Sequence, residues 1–345
     1  MPSSAADVIK PAFEHMKQQL FQPFRLGQWV KIALVGLLAG EITGGGGAGF
    51  QIPGRLRVPN RPDQFLAQAV PANALLWAIG IALLVVIGII VVLVLLYVSS
   101  MMRFVLFDSV VNKVCHVRRY WRQRRQQGFR YFLFQLLFAV TVLLVMGILI
   151  GAAAAVGFAF GWFRNPREHL LPLILGGIIV FLLFAAIVIA AAVVAILTKD
   201  FVVPQMALED VSVGVGWGRL WSMLKAEKIG YLAYIGIKIL LSILNTIVMG
   251  IIALAVALVL LIPAALIAVI AILVGKAIGL TWNAVSIAIA IVAGCLVLLA
   301  LIFGIVVCSA PSVVFFPAYS IYFLAERYPA LHRLIYPPPP QPTTP

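Results

Sequence analysis

The chain has 345 residues, of which 63% are hydrophobic and only 10% charged, and its mean hydropathy is +1.12. Soluble globular proteins average about 25% charged and roughly 45–50% apolar residues. A chain this apolar cannot bury its surface in its own core, so the composition excludes a soluble enzyme, a disordered chain and a disulfide-stabilised secreted domain. It predicts an integral membrane protein with several spans.

The few charges are mostly positive, with 25 lysines and arginines against 11 acidic residues and a net charge of +14. The basic residues lie beside apolar segments, where membrane topology and anionic headgroups account for them. We therefore expect the partners to be the bilayer and its anionic lipids, with a larger membrane complex or a homo-oligomer as a further option, and no nucleic acid.

Five runs without charged residues mark candidate spans, because a helix needs about 20 apolar residues to cross a bilayer core of about 30 Å. They cover residues 64–102, 131–163, 170–198, 239–275 and 277–325. A sixth, shorter candidate begins near Trp29 and ends at Gly40, before Glu41 and the glycine run 44–47.

The last third of the chain is ambiguous, because Pro263 lacks an amide hydrogen and disrupts helix interiors. We expect a span over 231–262, a short interfacial or re-entrant segment over 264–279, and a final span over 283–308. The alternative takes 264–280 as a seventh crossing. The preferred count is six, which gives an all-α polytopic bundle of about six transmembrane helices plus amphipathic interfacial helices.

Orientation and domains follow from the loops and the ends. With six spans and the N-terminus inside, 19 basic residues lie on the cytoplasmic side and 6 on the other, an asymmetry typical of positive-inside topology. We expect a prokaryotic cytoplasmic (inner) membrane with both termini in the cytosol. We predict a cytosolic amphipathic helix at residues 1–28, a polytopic membrane domain at residues 29–336, and a disordered proline-rich tail at residues 337–345.

Three amphipathic segments each precede an apolar hairpin, as interfacial helices do. Their apolar positions are Ile9, Phe13, Met16, Leu20 and Phe24; Val110, Val114, Val117 and Trp121; and Trp217, Leu220, Trp221 and Leu224. Arg119-Tyr-Trp121 matches Arg219-Leu-Trp221 at an offset of 100. We therefore predict three repeat units, at about 7–103, 104–200 and 201–327.

Three stretches resemble an uncharacterised family of bacterial and archaeal multi-pass membrane proteins: FQPFRLGQWVK at 21–31, the glycine run 44–47 with Phe50, and the arginine-rich 118–130. That family is similar in layout to the membrane domain of some glycerophosphodiester phosphodiesterases. The resemblance implies a multi-pass helical domain of unknown activity. No polar stretch is long enough for the phosphodiesterase barrel, so no catalytic residue carries over.

No residue pattern points to catalysis, a metal or a cofactor. The four histidines are spread over the chain, whereas metal sites need clustered ligands. No GxSxG elbow occurs, and the glycine-rich runs lack the context of a phosphate loop. We expect no enzyme activity, catalytic residue, metal or cofactor, and we expect Cys115, Cys295 and Cys308 to be reduced thiols.

Polar residues are rare in the apolar runs, where transporters commonly keep them. Glu41 is the most suggestive carboxylate, as a proton or cation site or as a partner of Arg55 or Arg57. Asn245 lies mid-span, where it commonly forms an interhelical hydrogen bond, and Lys238 is expected to reach the cytoplasmic surface. A small-solute or ion transporter or channel, with a path near Glu41, Asn245 and the 44–47 loop, is therefore the alternative function.

Segment 118–130 is the strongest functional feature, with six arginines and no acidic residue in thirteen positions. These charges hold the loop inside, and each can also contribute about 1 kcal/mol near an anionic leaflet. We expect a non-enzymatic, lipid-engaging or scaffolding protein that docks anionic lipid or a partner complex through a basic cytosolic collar. The basic collar consists of Arg118, Arg119, Arg122, Arg125, Arg219, Trp121 and Trp221.

Overall fold

The structure is a computed structural model that describes residues 4–41, 74–162, 169–277, 279 and 284–336. Every regular element among these residues is a helix, which confirms the predicted all-α class. A π-helical turn, Thr198–Val202, joins the sixth helix to the seventh. The helices are α1 (Ile9–Phe21), α2 (Leu26–Ala39), α3 (Ala74–Val111), α4 (Val117–Gln123), α5 (Arg125–Ala159), α6 (Leu170–Leu197), α7 (Val203–Glu209), α8 (Val213–Ala226), α9 (Lys228–Ala277), α10 (Ala284–Cys308), α11 (Ala310–Ala325) and α12 (Pro329–Ile335).

Five helical segments are long and apolar enough to cross a bilayer, as expected of an integral membrane protein. Their most apolar stretches are exposed almost throughout, which is the surface that lipid would cover. The segments are Ala78–Val111, Arg125–Ala159, Leu170–Glu209, Lys228–Ala277 and Val285–Ala325.

At one end of these segments the chain packs into a compact layer, which we call the base. The base contains α1, α2, α4, α7, α8, α11 and α12, together with the adjoining ends of α3, α5, α6 and α9. Exposure changes abruptly along α3, because residues 78–95 are exposed whereas Ser100 and Met101 are fully buried. The core of the protein therefore lies in the base.

An aromatic cluster lies at the centre of the base. The ring centroid of Phe201 is 5.0 Å from that of Tyr234 and 5.3 Å from that of Tyr231. Phe323 lies 4.6 Å from Tyr234, which also stacks on Tyr319 at 5.1 Å. These buried rings join the π-helical turn, α9 and α11 through the tilted, edge-on and stacked arrangements that aromatic pairs prefer.

The shortest predicted crossing corresponds to α2, which belongs to the base. This helix has 14 residues, so it is about 21 Å long and shorter than a bilayer core. It packs against α3 and α11, and its Ile32, Val35 and Ala39 are buried. The described residues thus contain five long apolar helices, rather than the six crossings predicted.

The predicted break at Pro263 is wrong. Helix α9 extends from Lys228 to Ala277, about 75 Å, with Pro263 inside it. A proline removes only one backbone donor, and apolar membrane helices tolerate it where neighbouring groups or small adjustments satisfy the freed carbonyl. Residues 264–277 therefore continue α9 and do not form a separate interfacial segment.

The second predicted amphipathic helix also needs correction. Val110 lies in the buried end of α3, after which the chain turns through Lys113, whose φ is 56°. Val117 and Trp121 belong to the separate helix α4, and Val114 between the two helices is exposed. The apolar periodicity therefore spans two helices, because a left-handed residue interrupts the right-handed backbone between them.

The predicted repeat boundaries stay a prediction. The matched residues Tyr120 of α4 and Leu220 of α8 are both buried in the base. Helix α1 falls within the predicted N-terminal segment 1–28. The glycine run 44–47 and the tail 337–345 lie outside the described residues.

Close packing of α2 on α11 depends on Gly36. A Cβ atom there would overlap the side chain of Val313, whereas one at Gly27 of the same helix would meet no atom within 4 Å. We expect Gly36→Ala to destabilise the protein by about 1–3 kcal/mol, because overpacking forces neighbouring side chains to move. Thermal unfolding of the purified protein in one detergent measures this. Gly27→Ala is the control, and equal melting temperatures for the two variants would contradict the prediction.

His15 is a buried titratable group that ties α1 to α3 and α11. With the proton on Nε2, the ring donates to the Val110 carbonyl at 2.9 Å and accepts from the Tyr322 hydroxyl at 3.2 Å. Burial lowers the pKa of His15 below its ordinary value; the Val110 hydrogen bond opposes this shift, and the nearby Lys113 adds to it. The folded protein therefore favours the neutral ring.

Because the pKa of His15 is lower in the folded than in the unfolded chain, the unfolded chain takes up the extra proton as pH falls. The stability that neutral His15 provides is present above its unfolded pKa and is lost as pH falls through its folded pKa. We expect the melting temperature of the wild type to drop more between about pH 8 and about pH 5 than that of His15→Gln, whose amide donates without titrating. Parallel curves for the two proteins would contradict this.

Candidate functional site

The arginines of segment 118–130 fall into two groups, and Arg124 represents the first. Its Nε donates to Asp108 Oδ2 at 2.8 Å and its Nη2 to Oδ1 at 2.9 Å. Arg124 also donates to the Ala207 carbonyl and to Gln127. Because Asp108 is buried, this two-point pair links α3, α5 and α7 and leaves Arg124 engaged inside the protein.

The second group of arginines is exposed on α4 and at the start of α5. The residue between them, Tyr120, is buried and anchors α4 to the base. Four guanidinium groups therefore project from one short stretch of surface, with no carboxylate partner among the described residues: Arg118, Arg119, Arg122 and Arg125.

Trp121 lies where the apolar helices enter the base. Its half-buried ring meets the Tyr97 ring edge-on, with 6.2 Å between centroids, and Tyr97 meets Phe132 at 5.7 Å. Tyr97 follows directly on the exposed apolar part of α3. Aromatic rings concentrate at headgroup depth, so Trp121 and Tyr97 place α4 at the edge of the apolar zone.

The collar residues of α8 have other surroundings. Arg219 donates to Glu209 and, at 3.3 Å, to the Tyr328 hydroxyl. The pKa of Tyr328 is raised to about 12, first by burial and second by the hydrogen bond that the Tyr328 hydroxyl donates to Glu209. Trp221 is 54% exposed, and Lys225 Nζ lies 5.6 Å from its ring centroid. Arg219 is thus held by the base, whereas Trp221 is accessible.

A second set of charged residues is buried or half-buried at the junction between the apolar helices and the base. Lys199 Nζ lies 2.5 Å from Glu41 Oε2, and Lys238 pairs with Asp200. Tyr234 donates a further hydrogen bond to Asp200 at 3.0 Å. A small cavity lies among these side chains and that of Arg103. We call this set the charge cluster: Glu41, Arg103, Lys199, Asp200 and Lys238.

Local backbone features place the charge cluster. Gly40 ends α2 with a φ of 77°, and the Glu41 amide donates to the Gly36 carbonyl at 2.8 Å, which directs the chain out of the helix. Lys199 and Asp200 lie within the π-helical turn, a distortion frequently found at functional sites. Arg103 comes from α3 and Lys238 from α9.

The charge cluster bears on two expectations and corrects the one for Lys238. Glu41 pairs with Lys199, whereas its expected partners, Arg55 and Arg57, lie outside the described residues. Lys238 does not reach the surface, since it is only 4% exposed. A buried carboxylate beside it makes the interior more favourable than extension toward the headgroups.

The sequence analysis did not predict that these charged residues lie together, although their positions along the chain pointed to it. Arg103, the Lys199-Asp200 pair and Lys238 each border an end of a charge-free run. Residues in such positions lie at the same depth when the runs cross side by side. Which of them meet depends on helix packing, and Glu41 and Lys199 are 158 residues apart.

Asn245 has a partner within the bundle. The Ser312 hydroxyl donates to its side-chain oxygen, so the residue joins α9 to α11. Asn245 is not among the described residues that line the cavity at the charge cluster. The structure therefore does not place Glu41 and Asn245 along one path.

The described part of the chain contains no group of three or more His, Cys, Asp or Glu residues that could hold a metal ion. The three cysteines are free thiols, with Cys115 buried, Cys308 half-buried and Cys295 exposed.

Comparison with known proteins gives a family match. The family described as "Family of unknown function (DUF7544)" covers residues 3–334. No curated protein and no solved structure matches the chain. The match supports the resemblance to an uncharacterised family and adds no link to glycerophosphodiester phosphodiesterases.

We expect Asp108→Asn to destabilise the protein by about 2–4 kcal/mol, because it leaves the mostly buried Arg124 without its counter-charge. Asp210→Asn is the matched control, since Asp210 and Arg130 form an exposed pair at 3.6 Å and should change stability by less than about 0.5 kcal/mol. Unfolding followed by circular dichroism in detergent compares the two. Equal losses would show that the Arg124 pair is not structural.

Proposed function

The chain belongs to this family of unknown function, and from its geometry we propose that it is a non-enzymatic membrane protein whose base binds anionic lipid headgroups. The binding surface is the exposed part of the basic collar, formed by Arg118, Arg119, Arg122 and Arg125 with Trp121. A partner protein or a second copy with an acidic face would dock on the same surface.

The observation that carries the proposal is that some arginines of the base have carboxylate partners whereas others do not. Arginines that serve the fold have carboxylates beside them, as Arg124 has Asp108 and Arg219 has Glu209. The four exposed arginines have no such partner among the described residues, and their side chains project from the surface. Their guanidinium groups are free to donate paired hydrogen bonds to phosphate, for which their planar geometry is suited.

The position of α4 supports a lipid ligand. The Trp121–Tyr97 contact lies where exposed apolar surface gives way to the base, at the depth expected for headgroups. Cations next to this level lie within a Debye length of lipid phosphates, so their attraction is only partly screened by salt. The excess of basic residues supports a cytoplasmic location for the base and both termini in a prokaryotic inner membrane, as positive-inside topology predicts.

Transport along a path near Glu41 is the alternative function. Two contacts favour lipid binding over it: Lys199 holds the Glu41 carboxylate, and Ser312 holds Asn245. The likeness in layout to the membrane domain of glycerophosphodiester phosphodiesterases contributes nothing to either function.

The test replaces Arg118, Arg119, Arg122 and Arg125 together with Gln in the full chain. Native mass spectrometry of the protein in neutral detergent then measures its affinity for an anionic and for a zwitterionic phospholipid. We expect the affinity for the anionic lipid to fall at least about tenfold, since each exposed charge contributes up to about 1 kcal/mol. The affinity for the zwitterionic lipid should change little.

The matched control removes four other exposed cations of the base, Lys10, Lys17, Arg25 and Lys31, by the same substitution. This variant has the same net charge and should keep most of the affinity for anionic lipid. Equal losses in the two variants would reduce the effect to net charge. An unchanged affinity in the collar variant would leave topology as the purpose of these arginines.

A further inference from the structure

The charge cluster is unbalanced. It combines three basic side chains with two carboxylates, and both carboxylates are matched, Glu41 by Lys199 and Asp200 by Lys238. The remaining positive charge belongs to Arg103. Arg103 is half-buried, and a charge partly withdrawn from water without a counter-ion is costly, so this junction attracts an anion.

Arg103 has donors to offer. Its guanidinium lies 5.9 Å from the Tyr131 ring centroid. Its Nε is buried and has no hydrogen-bond partner among the described residues. Proteins rarely leave a buried donor unused, because its lost hydration is not otherwise compensated.

A cavity lies in front of these groups. Its volume is about 30 Å³, enough for one or two water-sized occupants. All five residues of the charge cluster line it, together with Phe107, Phe316 and Ser320. The cavity is thus polar on its charged side, has a hydroxyl on its wall, and is too small for a phospholipid headgroup.

We propose that this cavity is a binding site for one small monovalent anion of halide size. Arg103 supplies the uncompensated charge and the Nε–H donor. The ammonium groups of Lys199 and Lys238 add donors that their carboxylate pairs leave unused, because each ammonium has three. Glu41 and Asp200 keep the lysines in place and exclude anions of higher charge by repulsion.

The site differs in kind from the lipid surface of the base and does not rest on it. The collar arginines are exposed on α4 and α5, whereas the anion site lies where α3, the π-helical turn, α9 and α11 meet. A bound anion would link these four elements. It would therefore stabilise the folded protein according to its concentration.

The experiment uses the purified full chain in neutral detergent. Sodium gluconate, whose anion is too large for the cavity, is replaced stepwise by chloride or bromide at constant ionic strength and constant lipid content. We expect a saturable rise in melting temperature with either halide, and binding of one radioactive chloride per chain. Absence of a saturable difference between halide and gluconate in the wild type would overturn the proposal without any variant.

Substitutions locate the effect. We expect Arg103→Gln to raise the half-saturating halide concentration at least about tenfold, as loss of a hydrogen bond to a charged group does. Arg103→Lys, which keeps the charge, should retain part of the response and serves if the first variant does not fold. Arg130→Gln removes a half-buried arginine of α5 that does not line the cavity and should respond like the wild type.

Two outcomes separate this site from the lipid surface. The collar variant should keep the full halide response, since its arginines do not line the cavity. If an anionic phospholipid stabilises the protein through Arg103 and no halide does, the proposal is overturned. A halide response that persists unchanged in Arg103→Gln would place the ion elsewhere and also overturn it.

Discussion

Buried charge at the junction between the apolar helices and the base is the constraint on which this architecture depends. Charged side chains at that level must find opposite charges within the protein, because neither lipid nor a packed core solvates them. The pairs Glu41–Lys199 and Asp200–Lys238 meet this requirement and join the end of α2, the π-helical turn and α9. Tyr234, which donates to Asp200, extends the constraint into the aromatic cluster. The depths of α6 and α9 are thereby set relative to each other and to the end of α2.

The same rule explains how a protein with few acidic residues uses them. Asp108 holds Arg124, and Glu227 accepts from Arg327 Nε and Nη2, both at 2.8 Å, while that arginine covers the Phe323 ring. These carboxylates fix interior cations in the base, and none faces the four free arginines of the collar. These paired carboxylates serve the fold, and the exposed collar arginines and Arg103 have no carboxylate partner among the described residues. The net charge of +14 is therefore distributed unevenly by the fold.

Composition and charge-free runs predicted the all-α class and most of the apolar helices, because length and hydropathy alone decide whether a segment suits a bilayer. The errors arose where a local signal competes with packing. Helix α9 continues through Pro263, which was expected to end it. Val110 and Trp121, which the apolar periodicity assigned to one helix, lie on different helices. The exposed arginines of the collar were predictable from sequence, but the engagement of Arg219 by Glu209 was not. Such pairings depend on which helices are in contact, and the residue pattern of a single sequence does not predict which residues of two helices face each other.

The collar and the charge cluster differ in solvent exposure, which changes how strongly salt would screen an anion bound at each. On the collar, four arginines face water, so salt screens their attraction over about 8–10 Å and any single one contributes little. At the charge cluster, Arg103 is half-buried among protein side chains, where the effective dielectric is lower and salt screens less. Lipid affinity should therefore depend on the sum of many weak contacts and weaken steeply with ionic strength. Anion binding in the cavity should depend on one guanidinium and on ion size. In both proposals, the depth of a cation relative to the bilayer decides whether it contributes to a diffuse lipid-binding surface or to a selective anion site.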